Sequence, residues 1–252
     1  MEGARPTPTL PDSVGMHRVA RRIFRGLASS YDRTVDYATF FQDRYWKRWV
    51  ATHGHFQEGN LILDIGSGTL LLEERLCRTG SSYVGVDVTP EMARLGWEKG
   101  LPNVPLVVNG DAVSLPFADG TFDGAVSCYV PKYVSVVRLA DELARVVKPG
   151  ARVVLYDFAK PRGISAALLE PYIQVGLRVV GLVLRRTRKG AAFAFERLPQ
   201  LIERTSWDGE LLDAMEGRGF ETLAATRLTA GAVFAYCGRK RLKRDGADRV
   251  GA

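Results

Sequence analysis

Asn60-Leu61-Ile62-Leu63-Asp64-Ile65-Gly66-Ser67-Gly68-Thr69-Leu70-Leu71-Leu72 decides the fold. An apolar run ends in an acid, two glycines follow one residue apart, and a helix-like pattern runs from Leu70 to Arg78. The order is strand, tight turn, helix. Glycines let the backbone turn sharply and approach a ligand where a Cβ would clash, and the free N–H groups of the helix start face whatever lies over the turn. A nucleotide-like ligand fits such a turn. A dinucleotide fingerprint needs a small residue at its third glycine position, where Leu71 stands, and no P-loop lysine follows. Asp64 would repel a pyrophosphate; it suits an ammonium or a hydroxyl.

The same rhythm continues on both sides. Ser82–Asp87 is a second apolar run ending in an acid, and Asp87 falls roughly twenty residues after Asp64, the spacing at which a carboxylate reaches ribose hydroxyls. Val88 follows it. Thr89-Pro90-Glu91 reads as a helix start, with Thr89 as cap, and Met92 on the first turn is placed to cover an adenine or to fill the core. Val104–Val108 is a third strand, followed by Asp111, an acceptor for an adenine amino group, and by the small Ala112. Gly124–Cys128 and Ala151–Phe158 are the fourth and fifth strands, separated by an amphipathic helix from Val136 to Val147. Strand and helix alternate from Asp64 to Phe158, which predicts an α/β fold: a doubly wound, mostly parallel sheet with right-handed crossovers. Sites form at the carboxyl edge of such sheets, where Cys128, Tyr129, Lys132 and Tyr133 stand.

The flanks differ in kind. Residues 1–15 are rich in Pro, Thr and Gly and read as a flexible tail. Residues 16–56 read as a helical cap carrying Tyr31-Asp32, Phe40-Phe41 and Tyr45-Trp46-Lys47-Arg48-Trp49. Residues 159–200 read as a helical insertion or cover; within it one long apolar helix is expected from Ile164 to Leu184, with Glu170, Gln174 and Arg178 on one stripe. That stripe and Pro171 argue against a membrane span. A helix from Leu198 to Gly217, with Ser206 as an internal cap, leads to two strands joined at Leu228-Thr229-Ala230-Gly231, an antiparallel hairpin at the sheet edge. Residues 241–252 are a basic tail. The single domain spans residues 16–240.

The chain has 252 residues, a formal charge of +7, a pI near 9.4 and 46% hydrophobic residues, enough for a packed core. Much of the positive excess lies toward the ends, which argues against a nucleic-acid partner and leaves an anionic membrane surface open. Cys77, Cys128 and Cys237 are widely separated, without metal or disulfide spacing, which fits a reducing cytoplasm and no metal.

Asp64-x-Gly66-x-Gly68 resembles motif I of the class I S-adenosylmethionine-dependent methyltransferases. Tyr31-Asp32 with Trp46-Lys47, Leu115-Pro116-Phe117 with Thr121-Phe122-Asp123, Lys148-Pro149-Gly150, Phe158-x-Lys160-Pro161, Gly219-Phe220 and the Leu228–Val233 turn resemble the ubiquinone/menaquinone-biosynthesis C-methyltransferases, over roughly Arg18 to Lys240. The sequence departs from that family at Val35 and Asp43, where Asn and His are usual, and at Lys132-Tyr133, where an Arg-Asn pair is usual. The resemblance implies S-adenosylmethionine as cofactor, held by Asp64, Gly66, Ser67, Gly68, Asp87, Val88, Met92, Asp111, Ala112 and Cys128, with Asp64 acting through the methionine amino group. For a hydroquinone-like carbon whose hydroxyl must be deprotonated or polarised, Lys132, Tyr133 and Tyr31 are the catalytic candidates, with Asp43 a further one. The expected partner is a lipid-like or quinol small molecule; a peripheral membrane contact and a homodimer are compatible associations. Another amphipathic acceptor, a non-catalytic binding module and a nicotinamide oxidoreductase are the rival readings; Asp64 and Leu71 count against the last.

Overall fold

The computed structural model describes residues 13–242 apart from 77–78, 104–105, 163, 172–174, 185–188 and 205. The N-terminal tail before Ser13, Cys77, Gln174, the basic run at 185–188 and the tail beyond Leu242 lie outside the described residues. The centre is a seven-stranded sheet built from β1 (Leu61–Ile65), β2 (Ser82–Asp87), β3 (Leu106–Asn109), β4 (Phe122–Cys128), β5 (Val147–Phe158), β6 (Phe220–Leu228) and β7 (Val233–Lys240), in the order β3-β2-β1-β4-β5-β7-β6. The first five strands pair in parallel; β7 runs antiparallel to β5 and to the edge strand β6, as the hairpin pattern leads one to expect. This is a doubly wound, Rossmann-like sheet whose order reverses at β1, so that β1 and β4 diverge from a topological switch point.

Alternation in the strands decides which layer each side chain joins. Leu63, Ile65, Val153 and Leu155 pack with α6 (Val136–Val146) and α10 (Trp207–Glu216) on one face. Ile62, Val126, Val154 and Tyr156 pack with α3 (Gln42–Gly54) on the other. The period-2 change of face along buried parallel strands is the cause. A third cluster joins α1 (Ser13–Leu27), α8 (Leu177–Leu184) and α9 (Lys189–Arg204) through Ile23, Leu27, Leu177, Phe195 and Ile202. The N-terminal cap and the insertion thus close on each other over the carboxyl edge of the sheet.

Several local readings change. The helix after the glycine turn does not begin at Leu70: Leu70 has φ of 59°, a left-handed conformation that cannot enter a right-handed helix, so α4 is Glu73–Leu76. The expected tail to residue 15 gives way to α1 at Ser13. Within the stretch expected as one long helix from Ile164, the described residues form α7 (Ile164–Pro171) and α8, and residues 172–174 between them lie outside the described residues. Between Leu198 and Gly217 the helix is interrupted before α10, at the Ser206 expected as an internal cap. Neither Ser206 nor Thr89 caps its helix through its side chain. Before α5 (Pro90–Trp97), the carboxylate of Asp87 accepts the Thr89 amide instead, at 2.7 Å.

Candidate active site

Two cavities meet at the carboxyl edge of the sheet. The smaller is lined by Gly66 and Gly68 of the turn after β1, Asp87, Val88 and Met92 after β2, Asp111 and Ala112 after β3, and Cys128 at the end of β4. The fitness of this cradle for a close-lying ligand is visible in the backbone. Gly66 and Gly68 have φ of 76° and 56°, and a Cβ on Gly66 would stand 2.2 Å from Val130 Cγ2. Both carboxylate oxygens of Asp87 accept amides, Oδ2 from Gly68 at 2.9 Å and Oδ1 from Thr89 at 2.7 Å. The glycine turn and the second strand are therefore locked together, and the remaining lone pairs of Asp87 face the cavity as acceptors for vicinal hydroxyls.

Burial pushes the Asp87 carboxyl up to about 6, against the lowering effect of its two amide donors. A ligand whose hydroxyls donate to Asp87 favours the carboxylate and must lower that value on binding. Its affinity is then constant above about pH 7 and falls by up to about tenfold per pH unit below about 6. Calorimetric titration of the cofactor from pH 5 to 8 measures this; a flat profile would dissociate Asp87 from the ligand.

Asp64 and Ser67 do not line either cavity. Asp64 is fully buried beneath the turn, one oxygen without a partner, beside the equally buried Glu73. Burial raises both carboxyls, Asp64 the further, with repulsion from Glu73 adding to it. Two carboxyls so placed cannot both ionise cheaply, and both oxygens of Glu73 are without a hydrogen-bond partner as well. Ser67 packs against Gly85, where a Cβ would meet its Oγ at 2.5 Å. Asp64 supports the turn from below and keeps an orphan acceptor at the end of β1.

The larger cavity, about 250 Å³, lies between the cap and the insertion. Its wall is almost wholly apolar: Ile23, Leu27, Trp46, Phe158, Leu177 and Phe195 among others, with Lys132 as its cation. Phe24, Tyr31, Tyr129 and Tyr133 line both cavities. The expected candidates Tyr31 and Tyr133 therefore stand at the shared wall, and Lys132 lines the larger cavity only.

Lys132 is buried with Asp157, Nζ to Oδ1 at 2.5 Å, while the Lys132 amide donates to Oδ2 at 3.1 Å. Rings of Tyr133, Tyr129 and Phe158 surround the ammonium at 4.4, 5.5 and 5.5 Å. Burial lowers the lysine and raises the aspartic acid, and each partner opposes the shift of the other. Asp43, wholly buried, pairs with Lys47 and accepts hydrogen bonds from Tyr129 Oη at 2.7 Å and Tyr156 Oη at 3.0 Å. Tyr129 has φ of 67°, a strained backbone for an aromatic residue, held by this network. Asp157 escaped the sequence reading: it is a strand-end residue whose role depends on Lys132, on a different element of the chain, and the bond from Tyr129 to Asp43 was not foreseen either.

The chain matches the model of the methyltransferase domain over residues 63–155. It is 32% identical over 217 residues to the demethylmenaquinone methyltransferase of Tropheryma whipplei, covering 84% of this chain and 88% of that one. It is 33% identical over 225 residues to the demethylmenaquinone methyltransferase of Streptomyces avermitilis, covering 89% and 95%. Among solved structures, a SAM-dependent methyltransferase from Aquifex aeolicus shares the fold with a TM-score of 0.55 at 20% identity, over 77% of this chain and 89% of that chain. The geranyl diphosphate C-methyltransferase of Streptomyces coelicolor, solved with S-adenosyl-L-homocysteine, does so with a TM-score of 0.55 at 14% identity, over 79% of each chain. A glycine cradle tied to the acid after β2, on this sheet order and with these relatives, places the chain in the family of the demethylmenaquinone methyltransferases: it is a class I S-adenosylmethionine-dependent methyltransferase.

Proposed function

We propose that the enzyme methylates a ring carbon of a prenylated quinol, of the demethylmenaquinol kind. The observation that carries this reading is the apolar cavity that shares four aromatic residues with the cofactor cradle and has a buried lysine in its wall. The relatives' activity as demethylmenaquinone methyltransferases agrees with it. An isoprenoid tail gains about 25 cal/mol for each Å² it removes from water, which suits the wall of Ile23, Leu27, Leu177 and Phe195.

The cofactor supplies an electrophilic methyl group. The chain must then bring a nucleophilic carbon behind it and exclude water, and orientation alone supplies several kcal/mol. A hydroquinone carbon gains electron density as its hydroxyl loses a proton. Lys132, desolvated but kept cationic by Asp157, is placed to stabilise the developing phenolate. Tyr31 and Tyr133 border the reacting space; burial raises both phenols, Tyr31 well above its usual range, so each serves as a neutral donor rather than a base. Asp64, with Ser67 beside it, serves the methionine end of the cofactor by shaping the turn.

The test is direct. Labelled S-adenosylmethionine is incubated with demethylmenaquinol kept reduced, and with total lipid extract in parallel. The expected product is the quinol heavier by one CH₂, with no product from the oxidised quinone. Label appearing only in another amphiphile would refute the quinol assignment while leaving methyl transfer intact.

A further inference from the structure

An exposed apolar stripe borders the mouth of the larger cavity. It lies at the corner between α2 (Tyr31–Ala38) and α3, where Phe40 and Phe41 have φ of 50° and 61°. Left-handed backbone at a bulky residue costs on the order of 1–3 kcal/mol, and here it hides nothing: Phe40 is 67% exposed and Phe41 47%. Phe40 also lines the cavity, so it stands at its mouth. Tyr37 packs edge-on against Phe41 with ring centroids 5.7 Å apart, and the Arg44 guanidinium lies 5.0 Å over the Phe41 ring. Tyr45, one helical turn on, is exposed as well.

Charge selects the occupant. The exposed charged residues between Arg33 and Arg48 are Arg33, Arg44 and Arg48; the acids there, Asp36 and Asp43, are partly buried under Arg44 and fully buried. We infer that this rim docks on a bilayer bearing anionic lipids, with Tyr37, Phe40, Phe41 and Tyr45 in the interfacial layer and the arginines at the headgroups. Aromatic rings with one polar tip and long cations with apolar stems are the side chains that suit such a boundary. The cavity mouth then opens toward the acyl layer, and a lipid-like acceptor reaches the shared wall without crossing water. That purpose rests on the proposed acceptor; the docking itself does not.

Sedimentation with vesicles of phosphatidylcholine and phosphatidylglycerol in equal parts tests the inference without any acceptor present. The wild-type protein is expected to sediment with these vesicles and to be released by high salt. The double variant Tyr37→Ser/Phe41→Ser, whose residues lie outside both cavities, is expected to partition about tenfold less or weaker, with unchanged melting and unchanged turnover of a short-chain, water-soluble acceptor. A wild-type protein that stays in the supernatant, or a variant that sediments equally, overturns it. So does a dimer in light scattering that the variant dissociates, since a second copy would then cover the rim.

Discussion

Replacing Lys132 with methionine is expected to lower the melting temperature by about 10 °C and kcat by about 10²–10³-fold, with little change in cofactor affinity. The stability loss follows from what remains. Asp157 is fully buried, and without its partner the carboxylate is stranded, a situation that costs about 3–5 kcal/mol; each kcal/mol shifts melting by about 2–4 °C at this chain length. The rate loss is that of removing one preorganised charge from the place where an oxyanion develops. The double variant Lys132→Met/Asp157→Asn separates the two effects, because it removes both charges of the buried pair while keeping a side-chain oxygen for the backbone amides that Asp157 now holds. Thermal melts should recover while kcat stays low. If kcat recovers with stability, Lys132 only holds the fold.

Gly66→Ala is expected to weaken cofactor binding by 100-fold or more, on the order of 3 kcal/mol, and Gly59→Ala to leave it unchanged. The two glycines have nearly the same backbone, φ of 76° and 82°, so both substitutions carry the left-handed strain. They differ in surroundings. A Cβ at Gly59 meets nothing within 4 Å, whereas at Gly66 it meets Val130 Cγ2 at 2.2 Å, and Val130 lines the smaller cavity, where the glycine cradle lies. Calorimetry with S-adenosylmethionine, alongside melts of both variants, reads the difference. Equal binding losses would mean that strain, not the shape of the cradle, governs affinity.

The positions that alternation and turn chemistry encode were legible in the chain itself. Leu61–Leu63, Tyr83–Val86 and Val153–Tyr156 are apolar runs of strand length, each followed by a polar residue or a glycine turn, and that rhythm admits few topologies other than a parallel, doubly wound sheet. Gly66, Gly68, Asp87, Val88, Met92, Asp111, Ala112 and Cys128 reach one cavity because each sits at the carboxyl end of a strand or just beyond it, and register alone brings those ends together. Asp64 is the instructive exception. Its place in the motif was plain, yet its side chain lies buried outside both cavities, near the equally buried Glu73 and with one oxygen unpartnered.

Sequence by itself determined the sheet, the glycine cradle and the class of cofactor, because strand period, glycine and a spaced acid are local properties of the chain. Only the tertiary structure decided the large apolar cavity, which needs Ile23 and Leu27 of the cap to face Leu177 and Phe195 of the insertion. It alone paired Asp43 with Tyr129 and Lys132 with Asp157, and set Phe40 at the mouth. Such pairings join segments distant in the chain, and no local periodicity records which of many buried partners packing will bring within hydrogen-bond reach.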